Sequence, residues 1–232
     1  MATGLVLVPG LACDAGVWAD LPTPASPWVA EGGVVDDIGA MADALLRDAP
    51  FEHFALAGHS LGGRIALEVM RRAPQRVLRL ALLDTGWLPL PAGEAGEREQ
   101  AQRLALVDLA RREGMRAMAA QWAPGMLHPA CIGGAVHEAV VDMVARQSVE
   151  RFAAQQAALL ARPDATGVLG AIRCPTLVLC GRQDAWSPLA RHEEMTALIA
   201  GARLAVVEDS GHMSTMERPA AVAAALRTWL AD

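Results

Sequence analysis

The 232-residue chain contains no tyrosine and only four cysteines. Without tyrosine, no phenol is available to donate a proton or to hold a developing negative charge. The cysteines show neither C-x-x-C spacing nor a cysteine and histidine pattern typical of zinc sites, so we expect reduced and mostly buried thiols. They are Cys13, Cys131, Cys174 and Cys180. The sequence therefore indicates neither a disulfide framework nor a zinc site.

Clusters of positive charge and long apolar runs are also missing. The formal net charge is −6 and the arginines are scattered, so no basic stretch is available to bind a nucleic acid backbone. No apolar run approaches the roughly 20 residues that span a bilayer. The stretch from Met1 to Pro9 has no positive leader and no small-residue cleavage site, so we expect a cytoplasmic protein. We therefore expect a small-molecule partner, with no nucleic acid and no membrane.

Short apolar runs alternate with helical patterns along the chain. With 53% hydrophobic and 20% charged residues, residues 1–232 are predicted to form a single domain. The predicted strands are Leu5–Val8, Phe54–Ala57, Leu78–Leu83, Thr176–Leu179 and Arg203–Val207, with a weaker one at Trp28–Ala30. Helices are predicted at Ile38–Arg47 and Ala220–Leu230. This alternation is typical of an α/β protein with a mostly parallel central sheet of about six strands flanked by helices.

Residues 87–165 have helical composition and no convincing strand. They contain three or four helical segments separated by glycine and proline. A helical insertion of this kind is expected to form a cap over the carboxyl ends of the strands. The alternative is that some of these helices, at least the last, are ordinary crossover helices.

The motif GHSLGG occupies residues 58–63, between a predicted strand and the helical run Arg64–Arg72. A serine on a tight strand-to-helix turn has its hydroxyl exposed, and the following helix points the positive end of its dipole at the same place. Gly58 and Gly62 suit a turn in which neighbouring backbones lie too close for Cβ atoms. We interpret Ser60 as a nucleophile; the alternative is a glycine-rich turn that happens to contain serine.

A serine hydroxyl becomes an effective nucleophile when a base accepts its proton and a third group orients the base. Of the six histidines, His212 lies in SGHM beyond the last predicted strand, where it would reach across the sheet edge. Two acids follow strands and could orient it, Asp184 in GRQD and Asp84 in LLDTGW. Asp184 is preferred because it precedes the histidine on an adjacent loop. Asp84 would then be a surface or loop-capping residue.

Two backbone N–H groups are expected to stabilise the oxyanion. One belongs to Leu61, which follows the nucleophile at the start of its helix. The other belongs to Leu11, in the loop after the first strand, where Gly10 lets the backbone turn.

The segments LVPG, GHSLGG, GRQD and SGH occur in this order, each beside a predicted strand. In this arrangement the chain resembles the α/β-hydrolase fold superfamily, in particular small bacterial esterases, enol-lactonases and carbon–carbon bond hydrolases. The similarity runs from about Leu5 to Leu230. The resemblance implies that Ser60 is the nucleophile, Asp184 the acid and His212 the base.

The chain departs from the family pattern in two places. Many members have His-Gly where this chain has Pro9 and Gly10, which changes what anchors the oxyanion loop. Many also begin with a β-hairpin before the first parallel strand, whereas this chain starts almost at that strand. We therefore expect a trimmed sheet.

The expected reaction is hydrolysis of a small carboxylic ester or lactone through an acyl-enzyme, which needs no metal or organic cofactor. A carbon–carbon bond hydrolase or lyase on the same triad, and a catalytically weak ligand-binding protein, stay open as alternatives. No motif places an arginine to bind a substrate carboxylate; Arg64 is the nearest candidate, but on the helix after the nucleophile it is expected to face solvent. Large apolar side chains predict a pocket for an apolar or aromatic substrate. They are Trp87, Trp122, Met126, Trp186 and Met213.

Overall fold

The computed structural model describes residues 4–19, 21 and 27–231, so Met1 to Thr3 of the N-terminal stretch lie outside the described residues. The strands are β1 Gly4–Val8, β2 Trp28–Val29, β3 Phe54–His59, β4 Val77–Leu83, β5 Thr176–Gly181 and β6 Arg203–Val207. Every neighbouring pair is parallel, and the order across the sheet is β2-β1-β3-β4-β5-β6. The prediction of a mostly parallel sheet of about six strands is confirmed.

Ten α-helices lie within the described residues. They are α1 Ile38–Asp48, α2 Leu61–Arg72, α3 Glu94–Glu113, α4 Met115–Trp122, α5 Ala135–Ala145, α6 Val149–Leu160, α7 Thr166–Ala171, α8 Leu189–Leu198, α9 Ser214–Glu217 and α10 Pro219–Ala231. Helix α1 illustrates how the sequence specifies these elements. Asp37 caps it by accepting a hydrogen bond from Ala40 N, and its buried positions include Ile38, Met41 and Leu45. That spacing places one apolar stripe on the core.

The strands are apolar on both faces because helices cover the sheet. All of β3 and β5 is buried. Helices α1 and α2 pack on each other, α2 packs on β3 and β4, and α8 and α10 pack on β5 and β6. Fully buried strands in a parallel sheet are continuous apolar runs rather than alternating ones. The order reverses between β1 and β3, and in such sheets the carboxyl edge at the reversal point is where ligands bind.

Four helices, α3 to α6, lie between β4 and β5 and pack largely on one another. Helix α3 contacts α4 and α6, and α4 contacts α5. Helix α7, which the sequence did not predict, contacts α2 and α8 instead. The segment 94–160 is therefore the part of the insertion that stands apart from the sheet layers.

None of the helices in the described ranges is long and apolar enough to cross a membrane. All four cysteines are free thiols. Cys13 and Cys180 are buried, whereas Cys131 and Cys174 are partly exposed.

Candidate active site

Ser60 occupies the turn between β3 and α2 in a backbone conformation that L-residues rarely adopt. Its φ is 53° and its ψ is −115°. Ser60 N donates to Leu83 O at 2.9 Å, which ties the turn to the end of β4. A strained residue of this kind persists only where the surrounding structure holds it in place, and such residues concentrate at functional sites. The turn lies at the carboxyl edge of the sheet, beside the point where the strand order reverses.

The glycines of the turn are required by close backbone approach. A Cβ on Gly58 would lie 2.3 Å from Gly62 O, and a Cβ on Gly62 would lie 2.0 Å from Val8 O. Because these neighbours are backbone atoms of β1 and of the turn itself, they have little room to move. The two glycines therefore let α2 start directly against β1.

We expect Gly62→Ala to destabilise the protein by about 3 kcal/mol, because the added methyl group must displace the backbone at Val8. The matched control is Gly167→Ala in α7, where a Cβ would meet nothing within 4 Å. That change should stay within about 0.5 kcal/mol. Urea unfolding of both variants measures the difference. Equal stability of the two would contradict the close packing described here.

Three side chains from different loops form a continuous hydrogen-bonded chain. The Ser60 hydroxyl lies 2.8 Å from His212 Nε2, and His212 Nδ1 lies 2.8 Å from Asp184 Oδ2. Asp184 Oδ1 accepts from the backbone N–H groups of Trp186 and Ser187 at 2.8 and 2.7 Å. The carboxylate is therefore fixed on one side by its own loop and presents its other oxygen to the imidazole.

The electrostatics of these three hydrogen-bonded side chains favour a basic imidazole beside an ionised carboxylate. Burial alone would lower the pKa of His212, but the charge and hydrogen bond of Asp184, together with Asp84, raise it above its ordinary value. Burial opposes ionisation of Asp184, yet the charge and hydrogen bond of His212 hold its pKa below the ordinary value. A base of this strength can accept a proton from a serine hydroxyl near neutral pH.

Asp84 also lies close to the Ser60–His212–Asp184 network, but its carboxylate oxygens accept hydrogen bonds from other groups. Asp84 Oδ1 accepts from Gly181 N at 2.9 Å, and Oδ2 accepts from the Ser214 hydroxyl. The residue is fully buried, so the expectation of a surface position is wrong. Burial and the nearby charge of Asp184 raise the pKa of the Asp84 carboxyl. Asp84 thus links the ends of β4 and β5 to the start of α9.

His59, next to Ser60, packs behind the candidate base. Its Nε2–H donates to His212 O at 2.9 Å, and its ring lies 5.5 Å from the His212 ring. Burial and the charge of His212 lower its pKa to about 4, so it is neutral. His59 was not predicted to have this contact. The hydrogen bond from His59 therefore fixes the backbone carbonyl of His212 beside the turn that carries Ser60.

Leu11 and Leu61 both line the cavity above Ser60. Neither N–H has an acceptor among the described residues, so both are free to donate to an oxyanion. The loop that carries Leu11 is closed by Cys13 N donating to Gly10 O at 3.1 Å. Ala12 N donates to Gln155 Oε1 at 2.8 Å. Gln155 of α6, which the sequence did not reveal, therefore anchors this loop.

The loop of His212 is tied to the segment between α4 and α5. His212 N donates to Met126 O at 2.8 Å. Buried Glu217 accepts from Gly211 N at 2.9 Å and from His128 N at 2.7 Å. This carboxylate joins the histidine loop to the helical insertion and was also missed at the sequence level.

A cavity of about 370 Å³ opens over Ser60 and His212. Four of the residues predicted to line it do so, namely Trp122, Met126, Trp186 and Met213. Trp87 does not; it is 3% exposed and packs beside Ile38 and Leu67 in the core. The prediction for Trp87 is wrong because its side chain packs in the core, although its neighbours Gly86 and Leu88 line the cavity.

Arginines also line the cavity, and the expectation that Arg64 faces solvent is wrong. Five arginines border it together with one carboxylate, Glu99; they are Arg64, Arg98, Arg103, Arg162 and Arg191. The prediction of an apolar pocket therefore describes only part of the wall. Within the described part of the chain, no three His, Cys, Asp or Glu side chains meet in a way that could hold a metal ion.

Residues 5–225 match the model of the alpha/beta hydrolase family. The chain belongs to this family. It is 29% identical over 237 residues to the pimeloyl-[acyl-carrier protein] methyl ester esterase of Aromatoleum aromaticum, covering 93% of each chain. It is 28% identical over 199 residues to the 2-succinyl-6-hydroxy-2,4-cyclohexadiene-1-carboxylate synthase of Serratia proteamaculans, covering 85% of this chain and 75% of that one.

Solved structures of α/β hydrolases agree with the fold. An esterase from Thermogutta terrifontis, determined with malate bound, superposes with a TM-score of 0.83 at 30% identity, covering 99% of this chain and 90% of that one. The enol-lactonase from Burkholderia xenovorans superposes with a TM-score of 0.81 at 22% identity, covering 100% and 93%. The protein is thus an enzyme of the α/β-hydrolase fold with esterase relatives.

Proposed function

We propose that this α/β hydrolase cleaves a small carboxylic ester or lactone through a serine acyl-enzyme. The observation that carries the proposal is the continuous contact from Ser60 Oγ through His212 to Asp184, with 2.8 Å at each step. The names of the esterase relatives support the same reaction class.

In the proposed mechanism His212 Nε2 accepts the hydroxyl proton while Ser60 Oγ attacks the acyl carbonyl. The Leu11 and Leu61 amides hold the oxyanion, and His212 then gives the proton to the leaving alkoxide. Water, deprotonated by the same histidine, attacks the acyl-enzyme and releases the acid. Asp184 accepts from Nδ1–H throughout, which keeps Nε2 free to act as the base.

Carbon–carbon bond cleavage on the same triad is the second candidate. It is favoured by the 28% identity over 205 residues to a 2-hydroxymuconate semialdehyde hydrolase from a Pseudomonas strain. Both reactions use an activated nucleophile and an oxyanion site, so substrates must distinguish them.

The test combines a fluorophosphonate probe with short, long and aromatic p-nitrophenyl esters and an aliphatic lactone. We expect covalent labelling of Ser60 and turnover that is highest for short acyl chains, because the cavity measures about 370 Å³. Labelling without turnover of any ester or lactone would favour carbon–carbon cleavage. Absence of both labelling and turnover would refute the serine hydrolase.

We expect kcat/KM to fall below a midpoint that lies above pH 6.5. The free base is required, and against the opposing effect of burial Asp184 raises the pKa of His212 above the ordinary histidine value of 6.5. Protonation therefore removes the base as the pH falls through that raised value. A pH profile of short-ester hydrolysis measures the midpoint. A flat profile, or a midpoint below 6.5, would contradict the role proposed for His212.

A further inference from the structure

The cavity over Ser60 is basic although the protein as a whole is acidic. The chain carries a formal net charge of −6, yet the wall of this cavity contains several arginines and a single carboxylate, Glu99. The arginines come from four separate places, namely α2, α3, the end of α6 and the first turn of α8. A wall of one charge sign raises the local concentration of ligands of the opposite sign.

Glu99 pairs with two of these arginines, and Arg98 pairs with the exposed Glu94. The Glu99 carboxylate accepts two hydrogen bonds from Arg162, each at 2.8 Å, and contacts Arg103 at 2.8 and 2.9 Å. Arg103 also donates to Gln156 Oε1 at 2.8 Å and stacks over the Trp186 ring at 5.1 Å from its centroid. These two guanidinium groups are therefore fully engaged by the protein.

Arg64 and Arg191 are not compensated in this way. Arg64 donates to Leu88 O at 2.9 Å, and neither arginine contacts a carboxylate among the described residues. Both reach the same place, because a Cβ on Gly86 would lie 3.1 Å from Arg64 Nη2 and 3.5 Å from Arg191 Nη1. Two like charges that converge on one cavity wall cost free energy unless an anion joins them.

The electrostatics of Arg64 agree with this picture. Burial, followed by the positive charges of Arg162, Arg191 and Arg103, lowers its pKa, and Glu99 offsets only part of the effect. A guanidinium nevertheless stays protonated at neutral pH. Its charge is therefore held in a repulsive environment that a bound anion would relieve.

We propose that Arg64 and Arg191 bind a carboxylate on the substrate, so that the preferred ester or lactone is acidic rather than neutral. The proposal rests on the hydrolase function proposed above. Arg64 follows Ser60 by four residues, so their backbones are ~6 Å apart along α2. This separation suits a short acyl chain with the scissile carbonyl at one end and the carboxylate at the other. A planar guanidinium can donate two parallel hydrogen bonds to that group.

The first test compares methyl half-esters of glutaric and adipic acid with methyl pentanoate and methyl hexanoate. Each pair has the same acyl chain length and differs in a terminal carboxylate, and proton release in a pH-stat measures all four. We expect kcat/KM to be at least about tenfold higher for the half-esters, the range of a hydrogen bond to a charged group. Equal values within each pair would overturn the subsite.

The variant Arg64→Met should lower kcat/KM for the half-esters by about 10- to 100-fold more than for the neutral esters of the same chain length. Thermal unfolding of the variant reports whether it is folded. Arg64→Lys, which keeps the charge but loses the planar fork, should restore part of the preference. Arg111→Met is the matched control, because this exposed arginine of α3 lies outside the cavity wall. An equal loss in Arg111→Met would assign the effect to overall charge and overturn the proposal.

Calorimetric titration with glutarate separates this proposal from the hydrolase function. We expect glutarate to bind the wild-type protein and Arg111→Met equally, and Arg64→Met at least about tenfold more weakly. Unchanged binding in Arg64→Met would overturn the subsite while ester turnover still supports the hydrolase. Weakened binding without turnover of any ester would support the subsite and refute the ester hydrolase.

Discussion

The variant Ser60→Ala is expected to lose about 10⁶-fold in kcat for the best ester substrate, because the reaction then lacks its nucleophile. Alanine removes the Oγ atom that lies 2.8 Å from His212 Nε2 and leaves the oxyanion amides of Leu11 and Leu61 in place. Initial rates at saturating substrate, with a fluorophosphonate label as a second readout, measure the loss.

The fold should tolerate this change, so the loss can be assigned to chemistry. Alanine occupies the φ of 53° at about the same cost as serine, and the serine side chain makes no capping bond to α2. Thermal unfolding of Ser60→Ala should match the wild type. The control Ser148→Ala removes a helix cap at α6 and should reduce stability by about 1 kcal/mol without affecting kcat. Retention of more than a tenth of wild-type activity in Ser60→Ala would rule out Ser60 as nucleophile.

Local patterns in the sequence predict most of the sheet and the position of the serine turn. The apolar runs of β1, β3 and β5 are buried on both faces, so their composition alone identifies them. The turn is equally local, since Gly58 and Gly62 are required by contacts within a few residues or with the adjacent β1. By contrast β2, with two residues, gives only a weak signal.

The surroundings of the turn depend on contacts between distant parts of the chain. Gln155 accepts a hydrogen bond from Ala12 N, and Glu217 accepts one from His128 N. The two residues of each pair are far apart in the sequence, so no local pattern indicates the contact. His192 is fully buried, and its Nε2 accepts from Thr85 N at 3.0 Å, a contact that no local pattern indicates. Patterns within a short stretch of sequence indicate helix or strand periodicity and the positions of turns. Hydrogen bonds between distant residues depend instead on how the helices and strands pack against one another.

The basic wall of the cavity was missed for the same reason. Its arginines are scattered in the sequence, so no segment has an unusual charge. Arg64 N donates to Ser60 O at 3.4 Å, so the two residues lie one turn apart at the start of α2. The spacing of four residues from the candidate nucleophile was therefore a usable signal for a side chain near the site.

Asp184→Asn is expected to lower kcat by about 10⁴-fold, whereas Asp84→Asn should lower it by less than about tenfold. The reason lies in the two oxygens of Asp184. Oδ1 accepts from Trp186 N and Ser187 N, so in the variant the amide oxygen must take this position. The amide NH₂ then faces His212 Nδ1, which must become the acceptor. The proton moves to Nε2, and the imidazole can no longer accept the proton of the Ser60 hydroxyl.

Asp84→Asn should not change the tautomer of His212 and is therefore the matched control. It replaces one carboxylate oxygen by an NH₂ group, as Asp184→Asn does, in a neighbouring buried acid. Its oxygen can still accept from Gly181 N, while its NH₂ can donate to the Ser214 hydroxyl oxygen. Burial and the charge of Asp184 raise the pKa of the Asp84 carboxyl to about 8, so at pH 7 this carboxyl is mostly protonated and a neutral amide changes the local charge little. Steady-state kinetics of both variants at pH 7 decide between the acids. A larger loss in Asp84→Asn would transfer the orienting role to Asp84, because only the acid that fixes the imidazole tautomer controls proton transfer from Ser60.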